Sequence, residues 1–168
     1  MWDAGGVLTG QARPQGVVDM RPSAVARFQR LFRSAAGVDV DKNDLKRYED
    51  FIDRKIYELL LIGQAHAKSN ARDVIQPFDL PVTKGLQESI HVFRKLDEEI
   101  ELQPILEQLA KRPPLDLTVA EETEEGLPEI VGGLTLALAR AFTIIEPERK
   151  NPQTEQWERA TAAFDLLL

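Results

Sequence analysis

The sequence predicts an all-α fold made of two similar units in tandem, each running short helix, extended piece, long helix, loop, short helix. Three observations carry this. Apolar residues recur at three- and four-residue spacing through most of the chain beyond Met20, and the extended pieces between are three residues long. Sliding the chain by 77 places Val38-Asp39-Val40 on Leu115-Asp116-Leu117, Asp41 on Thr118, Asp44 on Glu121 and Arg72 on Arg149. A repeat of this size signals units that cannot each bury an apolar face alone. Finally, 43% apolar and 29% charged residues suit a helical protein with a packed core.

Residues 1–19 hold Gly5, Gly6, Gly10 and Gly16 and no helical period, and read as a flexible tail. Met20 stands directly before the first helical pattern, so it is expected to be the natural start, with the preceding residues a mis-called extension; an intact mass of the native protein checks this. The first helix opens at Pro22, is marked by Val25, Phe28, Leu31 and Phe32, and stops at Gly37. After Val38-Asp39-Val40, Asp41 caps a second helix with Asp44 three residues on. That helix runs from about Lys42 to Asn70 on a stripe of Leu45, Tyr48, Ile52, Ile56, Leu59 and Gly63. Its middle, Ile56 to Ile62, is apolar nearly all round, so it needs cover on several sides. Asp79 is the expected N-cap of a third helix reaching about Ile100.

The second half repeats the plan. A helix near Leu102–Ala110 ends at Pro113-Pro114, and Leu115-Asp116-Leu117 is the extended piece. Thr118 with Glu121 forms a capping box. A long helix follows to about Ile145, interrupted early by Gly126 and Pro128. Pro147 and Pro152 mark a loop, and a last helix covers about Gln153 to Leu167. Gly63 and Gly132-Gly133 are expected close-contact points.

Composition excludes several functions. Without cysteine there is no disulfide, thiolate metal site or cysteine nucleophile. His66 and His91 are the only histidines. A His66 site with Glu58, Asp53 and Glu49 lacks a recurring ligand spacing, and neither a phosphate-binding glycine loop nor a nucleophile motif occurs. No catalytic, cofactor or metal residue is therefore expected. The N-terminus has no secretory pattern, and Ile130–Ile145 is too short and too polar to span a bilayer, so a core helix, no membrane and a cytoplasmic location are expected. The net charge is −7. It is split: residues 1–96 carry 15 basic and 12 acidic side chains, a net of +3, and residues 97–168 carry 6 and 16, a net of −10.

Phe28-Gln29-Arg30-Leu31-Phe32-Arg33-Ser34-Ala35-Ala36-Gly37 resembles the first helix of archaeal histones. Arg72-Asp73-Val74-Ile75-Gln76-Pro77-Phe78-Asp79-Leu80 resembles the histone second loop, where an Arg and an Asp seven apart clamp the loop by a bidentate pair. With Asp39–Lys46, Lys84–Glu88, Pro113–Leu117 and Asn151–Glu155, the span Met20–Leu168 resembles bacterial single-chain doublets of the histone fold. The resemblance implies two tandem histone folds, residues 20–97 and 98–168, packed as an intramolecular handshake around one core. Val38–Val40 would then lie beside the Arg149 loop, and Leu115–Leu117 beside Val74-Ile75.

It also implies a DNA edge. By position the phosphate contacts are Arg30, Arg33, Lys42, Lys68 and Arg72 in the first unit, and Lys111, Arg112, Arg149 and Lys150 in the second, with Arg72 and Asp79 as the loop clamp. Such contacts hold DNA without reading sequence, as in a nucleoid-associated protein. Three departures oppose this. Asp39, with Asp116 as its counterpart, stands where archaeal histones keep a groove-entering Arg. Asp97, Glu98, Glu99 and Glu101 crowd the expected phosphate path. The second unit has Gln156 seven residues after Arg149. The alternative is a protein-interaction or assembly module binding itself or another protein, and the crowded Glu121, Glu122, Glu124 and Glu125 favour a basic partner or plain solvation.

Overall fold

The computed structural model describes residues 22–110 and 113–168; the expected tail at residues 1–19 lies outside them. Helix α1, Pro22–Ala36, buries Phe28, Leu31 and Phe32. It ends at Gly37, whose φ of +65° is left-handed; the Gly37 N–H donates to the Arg33 carbonyl at 2.9 Å and the Val38 N–H to that of Phe32 at 3.3 Å. Nothing lies within 4 Å of a Cβ built on Gly37. Gly37→Ala should therefore cost only the backbone penalty, about 1 kcal/mol, and Gly37→Asn less. Urea melts check this, and an Ala variant as stable as wild type would count against it.

Helix α2, Asp44–Ser69, follows a reciprocal cap. Asp41 Oδ1 accepts from the N–H groups of Asn43 (2.8 Å) and Asp44 (3.0 Å), while Asp44 Oδ2 accepts from Asp41 N–H at 3.0 Å. Strand β1, Val74–Ile75, and a 3-10 turn, Pro77–Asp79, lead to α3, Lys84–Ile100. Asp79 does not cap α3. Its carboxylate is taken by the N–H of Gln76 and by Arg72, Leu80 is extended, and Thr83 caps α3 instead by accepting from Leu86 N–H at 3.2 Å. The division expected after residue 97 falls inside α3. The helix runs on to Ile100, where Glu101, at a φ of 57°, donates its N–H to the Asp97 carbonyl and turns the chain into α4, Gln103–Leu109.

Strand β2, Thr118–Val119, precedes α5, Glu121–Ile145, and α6 spans Thr154–Leu167. Thr118 belongs to the ladder rather than to a cap; Ala120 holds the cap position without a side-chain bond, and Glu121, Glu122 and Glu124 offset the positive helix end. Gly126 and Pro128 do not interrupt α5. Pro128 removes a single N–H donor and is buried in a continuous helix. The long helices begin 77 residues apart, but α3 and α6 begin 70 apart, because the loop before α6 is shorter.

The order is therefore short–long–short twice over, and the packing is crossed. Helices α1 and α3 lie on α5, and α6 lies on α2, where the Phe51 and Phe164 rings meet edge-on at 5.0 Å and Trp157 Nε1 donates to Asp44 Oδ1 at 3.2 Å. All six described helices feed one buried cluster, with α5 touching each of the others. Where α1, α2 and α5 meet, Tyr48 sits under Phe28 and Phe32. Its hydroxyl is 2.7 Å from that of Thr135, which donates to the Val131 carbonyl, so Tyr48 is the donor of the pair. Burial pushes the Tyr48 phenol well above its ordinary pKa, so this pair stays neutral.

Candidate nucleic-acid interface

The polar ends of the molecule are built where the first loop of one half meets the second loop of the other. At one end, the inward face of α1 leaves Arg30 and Arg33 outside. Val38 and Val40 are buried and Asp39 between them is exposed, as extended alternation dictates. The Asp39 N–H donates to the Lys150 carbonyl at 2.7 Å, and Gln29 Nε2 donates to the Val40 carbonyl at 3.1 Å. This ties together α1, the 38–43 loop and the 146–153 loop. Arg33 Nε donates to Asp39 Oδ1 at 3.1 Å. Arg30, Lys42, Arg149 and Lys150 are exposed at this end and make no ion pair among the described residues.

At the other end β1 and β2 pair in parallel, Val74 with Thr118 and Ile75 with Val119. The pairing falls three residues later than Leu115–Leu117, because the Gln64 amide oxygen already accepts from the N–H groups of Asp116 (2.9 Å) and Leu117 (3.1 Å). Gly63 keeps this loop close: a Cβ there would lie 2.9 Å from Leu80 Cδ2 and 3.2 Å from Ile75 Cγ2, so its close contact is with a loop rather than a helix. Arg72 donates two N–H groups to the Asp79 carboxylate at 2.6 and 2.5 Å and lies 4.9 Å above the Phe78 ring. The Arg72 bond, then the Gln76 N–H, hold the Asp79 carboxyl down at about 2 although it is buried. His66 Nδ1 lies 2.8 Å from the Asp79 carbonyl. Lys68 Nζ pairs with Asp116 Oδ2 at 2.9 Å.

Seven of the nine cations picked from the sequence are thus placed, and Lys111 and Arg112 lie outside the described residues. Arg33, Lys68 and Arg72 are each held by an aspartate, respectively Asp39, Asp116 and Asp79. In the second half, Arg149 is exposed and the Gln156 amide oxygen accepts from Gln153 N–H, so no second clamp forms. Sequence reasoning missed Lys55, 1% exposed, whose Nζ donates to Glu58 (2.9 Å) and to Asp165 on α6 (2.8 Å). Its signal was a lysine between Ile52 and Ile56 on the inner stripe of α2, where an ammonium needs a carboxylate partner.

A family model described as a domain of unknown function, DUF1931, matches residues 28–165. The chain belongs to the DUF1931 family. Two uncharacterized proteins of Aquifex aeolicus (strain VF5) resemble this DUF1931 chain, one 28% identical over 148 residues, covering 88% of this chain and 86% of the relative. The other is 29% identical over 142 residues, covering 77% and 83%. A crystal structure from Thermus thermophilus is 54% identical with a TM-score of 0.76, over 86% of this chain and 97% of that one. The DUF1931 fold is also shared with a crystal structure from Aquifex aeolicus at 24% identity, TM-score 0.76, over 90% of this chain and all of that one.

Proposed function

We propose that this chain is a single-chain doublet of histone folds that acts by binding rather than catalysis, making weak, sequence-independent contact with duplex DNA in the cytoplasm or nucleoid. The fold reading is supported by the doubled short–long–short order, the crossed packing of each long helix on the other half's short helices, and the two loop-to-loop ends. The binding reading rests on one observation. The Asp39–Lys150 hydrogen bond joins two loops whose exposed Lys42, Arg149 and Lys150 have no carboxylate partner among the described residues, with Arg30 on the adjoining helix. Phosphate contacts of this kind position a protein on DNA without reading bases.

Four free cations set the magnitude. Affinity should fall with salt on a log–log slope of about −3 to −4, since each neutralised phosphate contributes about −0.9. Anisotropy titrations of a labelled duplex measure it. Arg149→Glu with Lys150→Glu should abolish the binding, while Lys68→Ala should leave it nearly intact because Lys68 already serves Asp116. No binding at about 50 mM salt overturns this reading.

The second reading is a protein-interaction or assembly module. It is favoured by the opposite end, where Asp116 and Asp79 neutralise Lys68 and Arg72 close to the exposed Glu121 and Glu122.

A further inference from the structure

Helices α3 and α5 lie against each other along a seam where Gly133 faces Ile90 and Gly132 faces Phe93. The two arginines of this seam are served differently. At one end Arg94 on α3 donates to both carboxylate oxygens of Glu129 on α5, at 3.0 and 2.6 Å. Towards the other end the exposed Arg140 of α5 makes no ion pair among the described residues. It is also the one charged residue of α5 beyond Glu129. Arg140 lines a groove of about 560 Å³ with Lys84, Gln87, Glu88, His91 and Val92, which share one face of α3. The carboxylate in this lining, Glu88, pairs with Lys84 at 3.4 Å, so those two charges offset each other and leave Arg140 uncompensated. The loop end that carries Lys42, Arg149 and Lys150 uses none of these side chains.

We propose that this α3–α5 groove binds a phosphate group, gripped by the Arg140 guanidinium with Lys84, Gln87 and His91 around it. The donor set selects the ligand. A guanidinium presents a planar fork of N–H groups that fits two oxygens of one phosphate or carboxylate. Lys84 adds an ammonium, Gln87 an amide N–H group and His91 a ring N–H. A carboxylate has only two oxygens and is used up by the fork. A phosphate keeps at least one further oxygen for the donors on α3. Val92 alone among the described lining residues is apolar, so the phosphate itself is what the groove recognises, free in solution or carried on a nucleic-acid backbone. Glu88 opposes any anion here, which makes the site weak, with a dissociation constant on the order of 1 mM in dilute salt.

An NMR titration of the full chain with inorganic phosphate tests this, at fixed pH and with ionic strength balanced by chloride. Signals of His91 and of the Arg140 Nε–H should shift and saturate. Arg140→Gln, at an exposed position, should weaken the binding about tenfold with unchanged circular dichroism, and Arg140→Lys should recover only part of it. Glu88→Gln should tighten the binding severalfold, a gain that a merely structural role would not produce. Arg149→Glu with Lys150→Glu should leave it unchanged, which separates this groove from the loop end. A duplex titration distinguishes the two sources of phosphate. If the groove also takes backbone phosphate, Arg140→Gln lowers the salt slope of duplex binding by about 1; if it takes free phosphate only, the slope stays that of wild type. Shifts that remain linear in phosphate, shifts that saturate equally in Arg140→Gln, or a Glu88→Gln protein that binds no tighter would each overturn the proposal.

Discussion

Gly133→Ala should destabilise the protein by about 3 kcal/mol, although the same change in an ordinary helix interior stabilises by about 1 kcal/mol. The sign reverses because α3 lies directly on the α5 backbone. A Cβ at Gly133 would sit 2.4 Å from Ile90 Cγ1 and 3.1 and 3.2 Å from the Ile90 backbone N and Cα. Rotating the side chain of Ile90 cannot clear the last two, so α3 itself must retreat. Gly132→Ala should behave alike, since its Cβ would lie 2.3–2.5 Å from three atoms of the Phe93 ring, and Phe93 is 1% exposed with nowhere to turn. Against a total stability of about 5–15 kcal/mol this is a large fraction. Gly126→Ala, in the same helix with nothing within 4 Å of the new Cβ, is the control and should stabilise by about 1 kcal/mol. Urea denaturation of the three variants decides it. If all three shift the midpoint the same way, close packing is not what these glycines provide.

The Asp79 clamp should give the second large effect. Asp79→Ala leaves the half-buried Arg72 guanidinium and the Gln76 N–H without their acceptor and should cost about 2–3 kcal/mol. The isosteric Asp79→Asn isolates the charge through pH. The folded carboxyl titrates at about 2 against an ordinary value of 3.8, so the folded state binds fewer protons than the unfolded chain between these values. The stabilisation is therefore fully present above about pH 4 and is lost as pH falls towards 2. Asp165, lowered chiefly by its bond from Lys55, acts in the same direction. Asp44, raised by burial, acts oppositely: its charged form is disfavoured in the fold, so its penalty eases as pH drops towards 3.8. Wild-type stability should hold or rise slightly down to about pH 4 and then fall, and Asp79→Asn should fall less steeply. Equal acid slopes in the two proteins would contradict the clamp's electrostatic role.

Much of this was legible from local pattern. Gly37, the Asp41–Asp44 cap and the 77-residue offset between the starts of the long helices all follow from residues within a turn of one another. The elements misjudged from sequence are those whose side chains had two possible partners. Asp79 and Thr118 are good caps by type, but the first is taken by Arg72 and the second lies in the ladder with Val74. Pro128 reads as a break because local rules count the missing N–H, not the burial that surrounds it.

The same distinction separates the candidate site from the fold. Local sequence determined the helices, their stops, the apolar stripes and the excess of acidic groups in the second half. Only the tertiary structure decided which cations remain free. Lys68 is neutralised by Asp116, 48 residues on, and Lys55 by Asp165, 110 residues on, while the Asp39–Lys150 contact gathers cations that lie far apart in the chain. A helical period extends over a few turns, whereas ion pairing depends on distances of a few ångströms set by how the two halves cross. The outer stripe of α2 shows both sides. Its excess of apolar residues is written in the sequence, but which of them stay exposed, Tyr57, Leu61 and Ile62, and which are buried, Ile56, Leu59 and Leu60, is decided by how the rest of the chain packs on the helix.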